Sequence, residues 1–247
     1  MLYSGSIFEW DNYPTLFRYN IPGEGSCFFT SVIFAYCKTY RKGKISVLYH
    51  GEKIKLKIDR QKMVSDLRIG LANKLTEPVQ PRTDDSDDSL TTHYQSLANG
   101  NMEQVANDFE QLQKMTDYNL EVMKKNLSNF RFWPDQIYVE YVSNILDKDI
   151  YILEHKRQDI YMMVDVALLW KNRQSVVLLY NEQIGHFETI GLIKPISGHH
   201  QKTVFDSANV RGQDIHIETC FEPDDPFIIY LRERYQTLKQ MGKNRPV

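Results

Sequence analysis

The chain has few of the residues that mark specialised protein classes. It holds three cysteines, Cys27, Cys37 and Cys220, in 247 residues. So small and odd a count gives no disulfide framework, and reduced thiols in a cytoplasmic setting are expected. Twelve glycines and nine prolines are too few for a collagen-like or disordered chain. No apolar run reaches the roughly 20 residues of a membrane span, since the uncharged stretch from Gly25 to Cys37 falls well short. Glu9 and Asp11 precede Arg18, so no basic leader opens the chain and no secretory signal is expected. Neither sign of charge dominates: 30 basic against 32 acidic residues give −2. That excludes a phosphate-tracking basic surface as the main theme, and no nucleic-acid partner is expected. The small cluster Lys38, Arg41, Lys42 and Lys44, beside Tyr36 and Tyr40, reads first as a solvated face.

Cofactor signatures are also missing. There is no Cys-x-x-Cys and no His-Glu-x-x-His, and His216-x-x-x-Cys220 is at most half of a metal site. Gly23-x-Gly25 lacks the third glycine of a dinucleotide loop, Phe28 standing in its place, and no Walker lysine follows. No metal and no other cofactor is expected.

What is present is an ordinary globular balance, 42% apolar and 25% charged residues. No linker splits the chain, so residues 1–247 read as one domain. A core spans about 15–193, a helical insertion about 76–131 and an extension 196–247. A strand is predicted at 16–21, then a buried helix from Cys27, with Phe28, Phe29, Val32, Ile33, Tyr36 and Cys37 at helical spacing. Residues 44–49 and 53–58 read as a hairpin around His50-Gly51, its second arm alternating Lys with Ile or Leu. Asp59 can cap a helix over 60–75 that turns Met63, Leu67, Leu71 and Leu75 to the core. The acidic run Asp84-Asp85-Ser86-Asp87-Asp88 reads as a solvated loop. A helical pattern fills 101–127, breaking near Asp117, and another starts with Pro134 in its first turn and Asp135 at its positive end, with Ile137, Tyr141 and Ile145 on one face. Strands are predicted at 149–153, 160–164, 175–180 and 187–193, and a helix from about 224 to 241. Helices followed by a compact run of strands give an α+β layered domain.

Two residues are candidates for nucleophilic chemistry, although a cysteine on an apolar helix and a histidine beside a glutamate are each more often structural. A thiol must ionise near neutral pH to attack, and the first turn of a helix supplies unsatisfied N–H groups and partial positive charge that favour the thiolate. Cys27 has that placement, behind a Gly23-Glu24-Gly25 turn able to aim backbone N–H groups at an oxyanion. A buried structural cysteine is the plain alternative. His186 follows a turn and opens an apolar strand, so its imidazole can project from a sheet end. Glu188, two residues on, shares its face and can reach a ring nitrogen.

Three blocks, in order, resemble the ovarian-tumour (OTU) family of cysteine deubiquitinases over about residues 15–193. Gly23-Glu24-Gly25-Ser26-Cys27-Phe28-Phe29 looks like the family's nucleophile motif. Phe132-Trp133-Pro134-Asp135 through Glu140 to Leu146, with the strand after it, looks like its tryptophan block. Val176–Tyr180 followed by His186-Phe187-Glu188 looks like its histidine ending. The resemblance implies an α+β, papain-like fold with a central, mostly antiparallel sheet between helical regions. It implies an isopeptidase that releases ubiquitin, or a ubiquitin-like modifier, from substrate lysines or polyubiquitin chains through a thioester. Cys27 would attack, His186 would accept and return the proton, and Glu188 would orient the imidazole. Glu24, Gly25 and Ser26 would form the oxyanion loop. By the same resemblance residues 76–100 and 164–174 would dock ubiquitin, with Val166, Leu168, Leu169 and Trp170 covering its apolar patch or else making a core or hairpin contact. A monomer in the cytoplasm, from a virus or intracellular pathogen and acting in its host, is the expectation. Glu24 stands where the family usually has Asp, Pro134 where it has Gly, Thr30 where Arg or His is frequent, and Glu188 where Asp or Asn is commoner. Two other readings stay open: a silent OTU-fold module that only binds ubiquitin, and a cysteine protease for ordinary peptide bonds.

Overall fold

The structure is a computed structural model, and it describes residues 4–11, 13–49, 52–79, 92–97, 118–156, 158–160, 172–195 and 215–240. The acidic run 84–88, the pattern over 101–117, and Val166, Leu168, Leu169 and Trp170 lie outside the described residues.

Strands β1 (Gly5–Trp10) and β2 (Tyr13–Tyr19) lead into helix α1 (Cys27–Tyr36) and the short α2 (Lys38–Lys42). The hairpin β3 (Lys44–Tyr49) and β4 (Glu52–Lys57) follows, then helices α3 (Arg60–Lys74), α4 (His93–Leu97), α5 (Leu120–Ser128) and α6 (Gln136–Leu146). The rest of the sheet is β5 (Asp149–Glu154), β6 (Asp159–Ile160), β7 (Ser175–Asn181), β8 (His186–Pro195), β9 (Ile215–Glu218) and β10 (Cys220–Phe221), and α7 (Pro226–Gln240) comes last. The main sheet runs β1-β2-β8-β7-β5-β6, with β9 on β8 and β10 on β7. Its pairings are antiparallel except β5–β7, which is parallel. The α+β class expected from the sequence is the one observed.

Two apolar layers sandwich this sheet. Ile150, Ile152, Val176, Leu178 and Phe187 face the side that carries α1, α3, α5 and α6. Tyr151, Leu153, Val177, Leu179 and Ile190 face the opposite side, under Phe227, Ile228 and Leu231 of α7. Alternate residues of β5 and β7 are thus buried on both faces, which is why these strands read as near-continuous apolar runs. Helix α1 is buried almost all round, its core positions running from Cys27 to Phe29 and Ser31 to Ala35. Asp59 caps α3 by accepting from the Lys62 N–H at 3.0 Å. Asp135 caps α6 through the Ile137 and Tyr138 N–H groups, which leaves Pro134 just outside the helix rather than in its first turn. The hairpin β3–β4 forms with the expected pairing, Lys44 opposite Lys57 and Tyr49 opposite Glu52.

The C-terminal segment is more than an extension. Strands β9 and β10 pair with β8 and β7, and α7 covers a whole face of the sheet. Its strands pair with partners 20 or more residues earlier in the chain, which short-range periodicity does not register. Among the described residues no helix is long and apolar enough to cross a membrane.

Candidate active site

Helix α1 lies across β8, and this contact brings two distant parts of the sequence together. The Phe28 ring meets Phe187 edge-on at 5.4 Å between centroids. The Ser31 hydroxyl donates to the Phe187 carbonyl at 3.0 Å, and the Thr189 hydroxyl donates to the Ser31 carbonyl at 2.9 Å. Phe187 also stacks on Tyr180, 4.9 Å away on the neighbouring strand. These contacts seat the first residue of α1, Cys27, against the first residues of β8, where His186 stands.

Cys27 is buried, 4% exposed. Burial dominates and pushes its thiol pKa up, and the backbone N–H groups of Phe187, Phe28 and Cys27 itself offset this only in part. The Phe187 amide places the sulfur beside the backbone of the residue that follows His186. Among the described residues no hydrogen bond joins the Cys27 sulfur to the imidazole, whose Nε2 is engaged elsewhere.

The loop before the nucleophile is fixed from behind. Ser26 occupies the N-cap position of α1, yet its side chain makes no capping bond. Its hydroxyl donates instead to the Phe130 carbonyl at 3.1 Å and accepts from Arg68 Nη1 at 2.7 Å. The first N–H groups of α1 therefore stay free of a cap, and these are the donors an oxyanion needs. Gly25 sits at φ +69°, and a Cβ there would lie 3.1 Å from the Phe130 carbonyl oxygen and 3.3 Å from the Arg131 Cα. Both the backbone angle and the close approach require glycine. Glu24 is exposed, its carboxylate accepting from Gln61 Nε2 at 3.2 Å.

Arg68, which the sequence did not mark, is the buried support of this loop. It is 1% exposed and lies over the Phe29 ring at 4.3 Å. Its guanidinium donates to the Leu127 carbonyl at 2.8 Å, to Asn126 at 3.2 Å, to Phe130 at 3.4 Å and to Asn129. Three of these acceptors lie in the last turn of α5 or just beyond it, at the negative end of that helix. Burial lowers its pKa to about 10, so it stays a cation at neutral pH. The available signal was positional. Val64, Arg68, Leu71, Ala72 and Leu75 form the buried stripe of α3, and a lone arginine sits in the middle of it.

On the opposing side, Gly185 turns the chain into β8 at φ +56° and is covered by the Trp133 indole, which leaves no space for a side chain. The Trp133 ring lies 6.1 Å from Phe187 and 6.4 Å from Tyr180. His186 Nε2 lies 2.9 Å from the Ile21 carbonyl oxygen. The expected Glu188–His186 contact is not formed. The imidazole reaches Ile21, in the layer that carries α1, whereas the Glu188 carboxylate lies 3.5 Å from Nε of Arg18. Arg18 is on β2, directly opposite Ile190, and so diagonal to Glu188 on the same face. Residues two apart on a strand are about 6.6 Å apart, and the nearby cation captures the carboxylate first.

No family model matches the sequence, and no curated protein matches it. Among solved structures, an ovarian tumour (OTU) domain in complex with ubiquitin aligns over 92% of this chain and 89% of its own, at 12% identity and a TM-score of 0.43. The viral OTU domain protease from Dera Ghazi Khan virus aligns over 75% and 96%, at 17% identity and a TM-score of 0.35. That from Farallon virus aligns over 77% and 97%, at 12% identity and a TM-score of 0.35.

Proposed function

We propose that this chain is an OTU-type cysteine isopeptidase that releases ubiquitin from lysine side chains or polyubiquitin. One observation carries the reading: the first turn of α1 is seated on β8, with the Phe28 ring against Phe187 and the Ser31 hydroxyl on the Phe187 carbonyl, so that Cys27 opens its helix beside the residue that follows His186. The order of the three sequence blocks supports it.

His186 accepts the thiol proton as the sulfur attacks the carbonyl of ubiquitin's C-terminal residue. The carbonyl π pair moves onto oxygen, and the uncapped N–H groups at the start of α1, with those of the 24–26 loop, hold that oxyanion. The intermediate collapses to a thioester as the C–N bond breaks, and the imidazolium protonates the departing lysine amine. Water then attacks the thioester with His186 again as base, releasing the ubiquitin carboxylate and the thiol. Without His186 the buried thiol is protonated at neutral pH, so the imidazole must supply the activation. The three cysteines are unpaired, which suits a reducing compartment such as the cytoplasm, where ubiquitin conjugates are handled.

Ubiquitin bearing a C-terminal electrophile tests this. The expected result is covalent capture, lost in Cys27→Ala. A second reading, a silent module that only binds ubiquitin, draws on the raised thiol pKa and the engagement of the imidazole by Ile21. Saturable but reversible binding, with no adduct, would establish that reading instead.

A further inference from the structure

We infer that the group orienting His186 is the backbone carbonyl of Ile21, not a side-chain carboxylate. This rests on the cysteine–imidazole reading of the site. A carbonyl oxygen can only accept, so the 2.9 Å contact requires the proton on Nε2. In the neutral ring that assigns the lone pair to Nδ1, the nitrogen left for the Cys27 proton. Glu188, the only acidic residue at strand spacing from His186, is committed to Arg18, and among the described residues it makes no bond to the ring.

The Ile21 carbonyl is well placed for this role. Ile21 is 5% exposed and packs in the front core beside Cys27 and Phe28, so its peptide is held by the same layer that holds the nucleophile. It opens the Pro22–Gly25 loop, whose far end is fixed by Ser26 and Arg68. One short segment thus supports both partners: its first residue sets the tautomer of the base and its last sets the frame of the thiol. The carbonyl is neutral, so it orients the ring without stabilising the imidazolium as a carboxylate would. Among the described residues, the charged or titratable groups around the site include Cys27 on α1, Glu188 with Arg18 on β8 and β2, Glu24 in the loop, and Tyr180 with Glu154 and Glu182 on the β5–β7 side.

Two experiments test the inference. In the first, the histidines are labelled with ¹⁵N and the His186 signals are assigned by their loss in His186→Gln. The expected spectrum has a protonated Nε2 and an unprotonated Nδ1 in the neutral ring; the opposite tautomer overturns the inference. In the second, Pro22 is replaced by an α-hydroxy acid, which turns the Ile21–Pro22 amide into an ester. Proline has no N–H to lose, so the change chiefly weakens the Ile21 carbonyl as an acceptor. The rate of Cys27 alkylation by iodoacetamide is then followed against pH. The ester is expected to slow alkylation near neutral pH by about three- to tenfold, more than Glu188→Gln does. A larger effect from Glu188→Gln, with none from the ester, overturns the inference. Failure of the underlying reading looks different: His186→Ala would then leave the alkylation profile of Cys27 unchanged, whatever tautomer the ring shows.

Discussion

The two members of the proposed pair are held in very different ways. Behind Cys27 stands a dense, buried network in which Ser26 is tied to Arg68 and Phe130, and Arg68 to carbonyls of α5 and the turn after it. Behind His186 stand one carbonyl contact and a glycine turn under an indole. The proposed nucleophile is built into the core layer, while the proposed base is only partly buried and held by one carbonyl contact. That division suits an enzyme whose oxyanion frame must be rigid before substrate arrives and whose base forms its catalytic contact only when the site is filled.

The largest effects come from removing either member. Cys27→Ala should abolish covalent capture by the electrophilic ubiquitin. His186→Ala should lower turnover of a ubiquitin C-terminal amide by about 10²–10⁴-fold. In the same His186→Ala protein the Cys27 thiol should titrate above the ordinary value of 9.0, because burial favours the neutral thiol and no base remains to offset it. An alkylation midpoint below that value would mean that the helix terminus alone activates the sulfur, and the asymmetry between the two members would lose its mechanistic point.

The next effect tests the rigid half. Arg68→Met keeps the length and apolar stem but leaves the carbonyls of Asn126, Leu127 and Asn129 and the Ser26 hydroxyl without their donor. The expected loss of stability is about 2–4 kcal/mol, read from urea unfolding. A loss under about 1 kcal/mol would show that solvent or neighbouring donors replace the guanidinium, and that the frame behind Cys27 is no firmer than the one behind His186.

The same contrast explains what was legible in the sequence. Cys27 and His186 advertise themselves locally, one as the first residue of an apolar helix after a glycine turn, the other as the first residue of an apolar strand after one. The hairpin expected over 44–49 and 53–58 and the cap Asp59 are local too, and they form within a residue of the expected bounds, whereas Asp135 caps its helix from outside with Pro134 left before it. Arg68 was hidden because its acceptors are backbone carbonyls about 60 residues on, which carry no sequence signal. Glu188 had the right spacing for His186, yet its partner is decided by Arg18, 170 residues earlier and brought alongside only by the β2–β8 register. The β9 and β10 pairings and the burial of α7 failed to show for the same reason. Periodicity reports which face of an element is apolar, and says nothing of what covers it.

A smaller effect probes the adjustable half. Gly185→Ala places a Cβ 2.4 Å from the Trp133 ring at a positive φ, so the turn or the indole must move. The expected destabilisation is about 1–3 kcal/mol. Because His186 is the next residue, kcat should fall further than stability alone explains, with KM little changed. Trp133→Ala combined with Gly185→Ala should recover part of the lost kcat by removing the clash. If the double variant recovers nothing, the glycine is needed for its backbone angle rather than for the indole above it.

The smallest effect belongs to Glu188. Its pairing with Arg18 is half-shielded, the side chains being 12% and 30% exposed, and the 3.5 Å separation is long for a strong ion pair. A double-mutant cycle between Arg18→Gln and Glu188→Gln should give a coupling of about 0.2–1 kcal/mol in unfolding free energy. Turnover of Glu188→Gln should stay within about tenfold of wild type, below the 10²–10⁴-fold expected for the base itself. A loss as large as that of His186→Ala, with no measurable coupling to Arg18, would mean that substrate binding frees Glu188 from the arginine and delivers it to the ring. The rim of the site would then rearrange far more than the single carbonyl contact to Ile21 implies.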